Sequence, residues 1–139
     1  MAEQLVIHHV GFVVADIEAG LRGFVQSLAA KWDGKIFADP IQKVKVAFLV
    51  TRPGDARIEL VQPAADDSPV SRFLAERGGG FHHVCYEVED LNHALAEFKG
   101  RGALLARPPK PAVAFEGRRI AWVLTAEKFL VELLESARA

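Results

Sequence analysis

Two histidines and two glutamates occupy matching positions in the two halves of the chain. His9 and His83 are 74 residues apart, and Glu59 and Glu132 are 73 residues apart. Imidazole nitrogens and carboxylate oxygens are ligands that divalent transition metals accept. The sequence therefore predicts one site for a divalent transition metal (Co, Ni, Mn, Fe or Zn), with His9, Glu59, His83 and Glu132 as its ligands and with positions left for water or substrate.

The residues around these four positions form an internal repeat. Residues 9–21 and 83–95 both begin with His-Val, carry an aspartate at the eighth position and end on leucine. Near the end of each half, a glutamate lies inside a short apolar run, at residues 58–61 and 131–134. A histidine and a glutamate that recur at both ends of a repeat indicate a duplicated structural unit.

The apolar periodicity of each half predicts the order β-α-β-β-β, and hence an α+β fold. We expect a single domain over residues 1–139, with a first module over about 5–62 and a second over about 81–139. A linker over about 63–80 contains a short helix that begins with Pro69 and ends at three glycines. Residues 107–111 contain three prolines, which predicts a loop that is free to act as a lid.

Alternation along the first strand of each module selects between neighbouring histidines. Side chains two residues apart in a strand share a face, so His9 faces away from the apolar residues that would pack under a helix. Placing His8 or His82 in the site instead would turn those apolar residues inward with them. We therefore rank His8 and His82 below His9 and His83, and we expect His93 to be an exposed helix residue.

Composition excludes several other functions. The chain has 139 residues, a net charge of −1 and no basic stripe, so nucleic acid is not an expected partner. Its apolar runs are too short to span a membrane, and its N-terminus lacks the features of a signal peptide, which predicts a cytoplasmic protein. The single cysteine, Cys85, excludes an internal disulfide and is expected to pack in the wall of the site.

With this repeat and these four residues, the chain resembles the vicinal oxygen chelate superfamily, and within it the methylmalonyl-CoA epimerase family. The resemblance covers nearly the whole sequence. It is carried by residues 44–49, Ile58-Glu59-Leu60 with Pro63, Asp67-Ser68-Pro69-Val70, Phe73-Leu74 and Gly80-Phe81-His82-His83-Val84.

The resemblance implies a fold, a site and a reaction. Two tandem βαβββ modules would form a cupped mixed sheet around a metal, with His9, Glu59, His83 and Glu132 at the ligand positions. The metal would act as a Lewis acid while a proton α to a thioester carbonyl is removed and returned. Glu132 would be both a ligand and a catalytic acid/base. The resemblance also implies a small-molecule substrate such as an acyl-CoA or another thioester, and a homodimer.

One position departs from the epimerase pattern. A second catalytic glutamate of that family corresponds to Val46, which cannot carry a proton, and Glu87 or Glu116 could supply a substitute base. Two alternatives therefore stay open. A glyoxalase I-like isomerase (lactoylglutathione lyase) uses the same His-Glu-His-Glu ligand order, and a non-catalytic small-molecule-binding protein of the resistance type has the same fold.

Overall fold

The computed structural model describes residues 5–137, which divide into two compact units. One unit contains residues 9–82, and the other contains residues from His83 onward together with the N-terminal stretch that ends at His8. The first four and last two residues lie outside the described part of the chain. The predicted domain limits and the predicted lack of a signal peptide therefore concern, in part, residues that the structure does not describe.

The first unit contains a mixed sheet and two helices. In chain order its elements are β1 (Val6–Val13), α1 (Ile17–Leu28), β2 (Lys31–Trp32), β3 (Phe37–Asp39), β4 (Val44–Val50), β5 (Arg57–Pro63) and α2 (Ser71–Arg77). The strand order is β2-β4-β5-β1, with β3 also paired to β4. Strands β1 and β5 are parallel, whereas the pairings of β4 are antiparallel.

An N-terminal cap and an apolar face position helix α1. The Asp16 side chain accepts hydrogen bonds from the backbone N–H groups of Glu18 and Ala19, at 3.0 and 3.3 Å, which caps the first turn. The buried face of the helix, which includes Leu21, joins Leu49 and Leu60 of the sheet in one apolar cluster. This packing fixes one face of the sheet under the helix.

The second unit repeats the arrangement. Its elements are β6 (Gly80–Val88), α3 (Leu91–Gly100), β7 (Leu104–Pro111), a 3-10 turn (Val113–Phe115), β8 (Arg119–Leu124) and β9 (Leu130–Glu135). The strand order is β6-β9-β8-β7, with β6 and β9 parallel. Asp90 caps α3 by accepting from the His93 N–H at 3.0 Å. Leu91 and Phe98 of α3 pack with Leu133 of β9 in a second apolar cluster.

These elements confirm the predicted α+β fold with its duplicated β-α-β-β-β order, and they correct one detail. Residues 107–111 are not a loop or a lid: they continue β7, which lies at the end of the strand order and, within residues 5–137, pairs with β8 alone. Proline lacks a backbone donor, but an edge strand needs donors on one side only, and β7 shifts register twice around Arg107. The two-residue strand β2 was not predicted.

The helices described here are short, and α1 is the longest with 12 residues. Between residues 5 and 137, no helix has both the length and the apolar character needed to cross a bilayer.

Candidate metal centre

The first unit brings one predicted histidine and one predicted glutamate together. His9 lies on β1 and is fully buried, and Phe12, on the opposite face of the strand, packs against the cluster under α1. In the parallel ladder Glu59 of β5 lies beside Gly11, which adds no side chain between the two. The His9 Nε2 atom is 3.3 Å from Glu59 Oε1, and Glu59 is only 5% exposed.

The second unit repeats this pair with the same spacing. His83 of β6 and Glu132 of β9 are 1% and 3% exposed. The His83 Nε2 atom is 3.3 Å from Glu132 Oε1. Cys85 is the register partner of Glu132, and it corresponds to Gly11 in the first unit. Cys85 is fully buried in the ladder beside Glu132.

An aromatic ring accompanies each histidine. Phe48 of β4 lies opposite Glu59 in the strand ladder, and its ring contacts His9 edge-on with 5.6 Å between centroids. Trp122 of β8 lies opposite Glu132, and its ring contacts His83 edge-on at 4.7 Å. Sequence reasoning did not identify these two rings as histidine neighbours, although they are separated by the same 74 residues as the histidines.

Burial defines what each pair can do. An ionised carboxylate in an apolar interior is costly unless it is paired or bound to a metal. Each glutamate here has an imidazole nitrogen as its neighbour, so each pair forms an ion pair when the histidine is protonated. A neutral imidazole and a carboxylate are, equally, two ligands of the type that a divalent metal binds. The residue types therefore fit a divalent metal, and they do not select among metals.

The three other histidines have different neighbours. His8 contacts Phe115 edge-on at 5.3 Å, and His82 contacts Phe73 edge-on at 4.9 Å. His93 lies on the surface of α3, with Nε2 2.7 Å from Glu97 Oε1. Its exposure agrees with the prediction for a helix residue.

Val46, which occupies the position expected for a second catalytic glutamate, lies in apolar surroundings. Val46 is 5% exposed and lies opposite Val61 of β5, which is also buried. Of the two suggested replacements, Glu87 accepts a hydrogen bond from Arg118 Nη1 at 2.8 Å, and Glu116 is exposed at the end of the 3-10 turn. A neighbouring pair joins Arg119 to Glu135 at 2.7 Å, and the carboxylate raises the pKa of that guanidinium.

The linker between the modules is held by a further ion pair. Lys43, the residue before β4, donates a hydrogen bond to Asp67, and this lowers the pKa of the Asp67 carboxyl. Lys43 has a positive φ of 57°, and its carbonyl oxygen accepts from the Ala64 N–H at 3.0 Å. These contacts tie the residues after β5 back to β4.

A family model and several known proteins are similar to most of this chain. The model of the Glyoxalase/Bleomycin resistance protein/Dioxygenase superfamily matches residues 8–122. The chain is 34% identical over 115 residues to the ethylmalonyl-CoA/methylmalonyl-CoA epimerase of Cereibacter sphaeroides, over 82% of this chain and 84% of the relative.

Two further comparisons concern a mammalian relative and a solved structure. The mitochondrial methylmalonyl-CoA epimerase of Bos taurus is 34% identical over 94 residues, which cover 67% of this chain and about half, 52%, of the bovine protein. The crystal structure of methylmalonyl-CoA epimerase from Mycobacterium tuberculosis matches with a TM-score of 0.84 at 27% identity. That match covers 99% of this chain and 93% of the other.

Proposed function

Because the chain belongs to the Glyoxalase/Bleomycin resistance protein/Dioxygenase superfamily, we propose that it is a divalent-metal-dependent epimerase of malonyl-type acyl-CoA thioesters. The reaction removes the proton α to the thioester carbonyl and returns it to either face of the planar carbanion. Names of relatives that include ethylmalonyl-CoA and methylmalonyl-CoA epimerase support this substrate class.

The observation that carries the proposal is the duplicated, buried His–Glu pair. His9 with Glu59 and His83 with Glu132 are the four protein ligands that we assign to one metal ion. Once bound, a divalent ion would act as a Lewis acid that stabilises the negative charge developing on the substrate carbonyl. Equivalent pairs in a repeated sequence are the expected ligand source for such a site.

We assign to Glu132 the proton transfer on one face of the α carbon; epimerisation also needs a proton donor on the opposite face, a role that Val46 cannot fill. Its Oε1 atom lies 3.3 Å from His83 Nε2, and a carboxylate at this position is a base suited to accept the proton from the α carbon. The strand around Glu132 is apolar on its other face, where Val131 and Leu133 are buried in the cluster under α3. This packing keeps Glu132 on the face of β9 that is turned away from the cluster.

Two partners complete the proposal. The substrate would be an acyl-CoA or a closely related thioester, and the protein would act as a homodimer. Two large apolar side chains at the beginning of β1, Val6 and Ile7, are 61% and 47% exposed, and a second copy that covers them would remove this apolar surface from water.

Elemental analysis tests the metal first. We expect about one divalent transition metal ion per chain in the purified protein, and its loss in the double variant His9→Ala/His83→Ala. The variant His93→Ala is the control, because His93 lies on the surface of α3 and should leave the metal content unchanged. A wild-type protein that neither contains nor takes up Co, Ni, Mn, Fe or Zn would contradict the proposal and favour the metal-free binding protein.

Substrate exchange in D2O tests the reaction. Methylmalonyl-CoA and ethylmalonyl-CoA should exchange their α hydrogen in the presence of the metal-loaded protein and not in its absence. The apolar Val46, which cannot carry a proton where the epimerase pattern has its second glutamate, leaves open a second candidate, a glyoxalase I-like isomerase with the same His-Glu-His-Glu ligand order. Turnover of a glutathione hemithioacetal without exchange of either acyl-CoA would decide for this alternative.

A further inference from the structure

Each buried histidine makes a T-shaped contact with an aromatic ring, and the two contacts lie at matching positions of the two units. In each unit the ring belongs to the strand antiparallel to the glutamate strand, and it lies directly opposite the glutamate in the ladder. Phe48 meets His9 at an interplanar angle of 66°, and Trp122 meets His83 at 79°. The repetition shows that the contact is a feature of the repeated unit rather than an accident of packing.

We propose that Trp122 is a positioning residue that fixes the orientation of the His83 imidazole for metal binding. This inference rests on the proposed function, since it concerns a ligand of the proposed metal site. Edge-to-face contact between aromatic rings is favourable at centroid distances of about 4.5–7 Å, because the positive edge of one ring meets the negative face of the other. The 4.7 Å contact of Trp122 lies at the close end of that range.

Trp122 is not needed to fill the apolar core of its unit. Its chain neighbours Ala121 and Val123 point to the opposite face of β8 and belong to the cluster under α3. Trp122 is absent from that cluster and is only half-buried. Its packing therefore serves the face that carries His83 and Glu132, where its ring is one of the contacts that restrain the His83 imidazole.

The two halves are not equal in this respect. The centroid distance is 5.6 Å for Phe48 and His9, compared with 4.7 Å for Trp122 and His83, and the indole is the larger ring. His83 is therefore the more tightly restrained ligand. Truncation of Trp122 should weaken metal binding more than truncation of Phe48.

Titration of the metal-free protein with Co(II) tests the inference without any substrate. The visible absorption of bound Co(II) reports its coordination geometry, and the titration gives its dissociation constant. We expect Trp122→Ala to weaken Co(II) binding about tenfold and to alter the visible spectrum, the size of effect typical of residues that orient metal ligands. Trp122→Phe should retain the wild-type spectrum and bind within about threefold, because a ring remains against the histidine.

Phe98→Ala is the matched control. Phe98 is a large aromatic residue of the same unit, but it lies in the cluster under α3. Its truncation should lower the stability to urea while leaving the Co(II) affinity and spectrum unchanged. Should Trp122→Ala not fold, Trp122→Leu carries the same comparison.

The possible failures are distinct. Wild-type affinity and spectrum in Trp122→Ala would overturn the positioning role, as would an equal loss of affinity in Phe98→Ala. A wild-type protein that binds no Co(II) would instead defeat the proposed metal site, and with it this inference.

Discussion

Substitution of Gly79 by alanine tests how β6, the strand that carries His83, is joined to the linker. Gly79 has a φ of +102°, and an added Cβ would lie 2.6 Å from the Val13 carbonyl oxygen. Val13 is held in the ladder between β1 and β5, where it pairs with Val61, so it cannot move aside freely. We expect a cost of about 1–3 kcal/mol for the backbone conformation, with about 1–3 kcal/mol more for the forced contact.

The neighbouring Gly80 separates these two contributions. Its φ is +106°, close to that of Gly79, but an added Cβ would meet nothing within 4 Å. Gly80→Ala should therefore show the conformational cost alone. Urea unfolding of both variants gives the comparison, with the midpoint shifted and the slope unchanged. Equal losses of stability in the two variants would refute the reasoning, since the contact with Val13 would then contribute nothing.

Three further outcomes are expected. Glu132→Gln should lower α-hydrogen exchange of the acyl-CoA substrate by at least about a hundredfold, measured by mass spectrometry in D2O; full exchange would exclude Glu132 as the base. Removal of the metal by chelation should lower the melting temperature by about 5–10 °C, because a ligand at a hundred times its Kd adds about 2.7 kcal/mol, and an unchanged melting temperature would argue against a buried metal. Finally, the hydrogen bond from Lys43 lowers the pKa of Asp67. Their contact therefore stabilises the fold at pH values above the ordinary carboxyl pKa of 3.8, and this stabilisation is lost as the pH falls through the lowered pKa. Asp67→Asn should flatten this acid-side dependence in urea unfolding, and an unaltered dependence would contradict it.

Alternation was a reliable guide to the faces of the strands. It placed His9 opposite the residues that pack under α1, and the structure puts Phe12 in that packing and His9 in the buried interior. The prolines of β7 were a poor guide, because they predicted a loop where an edge strand forms. A missing backbone donor is visible in the sequence, but the number of neighbours a strand will have is not.

The pairing of very short strands could not be predicted from the sequence either. Strand β2 has only two residues, Lys31 and Trp32, and it exists because they pair with Val50 and Leu49 of β4. A two-residue run has no periodicity that could identify it. The same holds for the Arg118–Glu87 ion pair, whose partners come from different strands.

The sequence by itself determined the duplicated unit, the β-α-β-β-β order of its elements apart from β2, and the identity of the four residues proposed as metal ligands. These follow from local properties, since side-chain periodicity and capping act over a few residues. Only the tertiary structure decided that Glu59 comes within 3.3 Å of His9, and that Phe48 stands against the same imidazole. Those contacts depend on strand order and register, which are fixed by hydrogen bonds and packing between segments far apart in the chain.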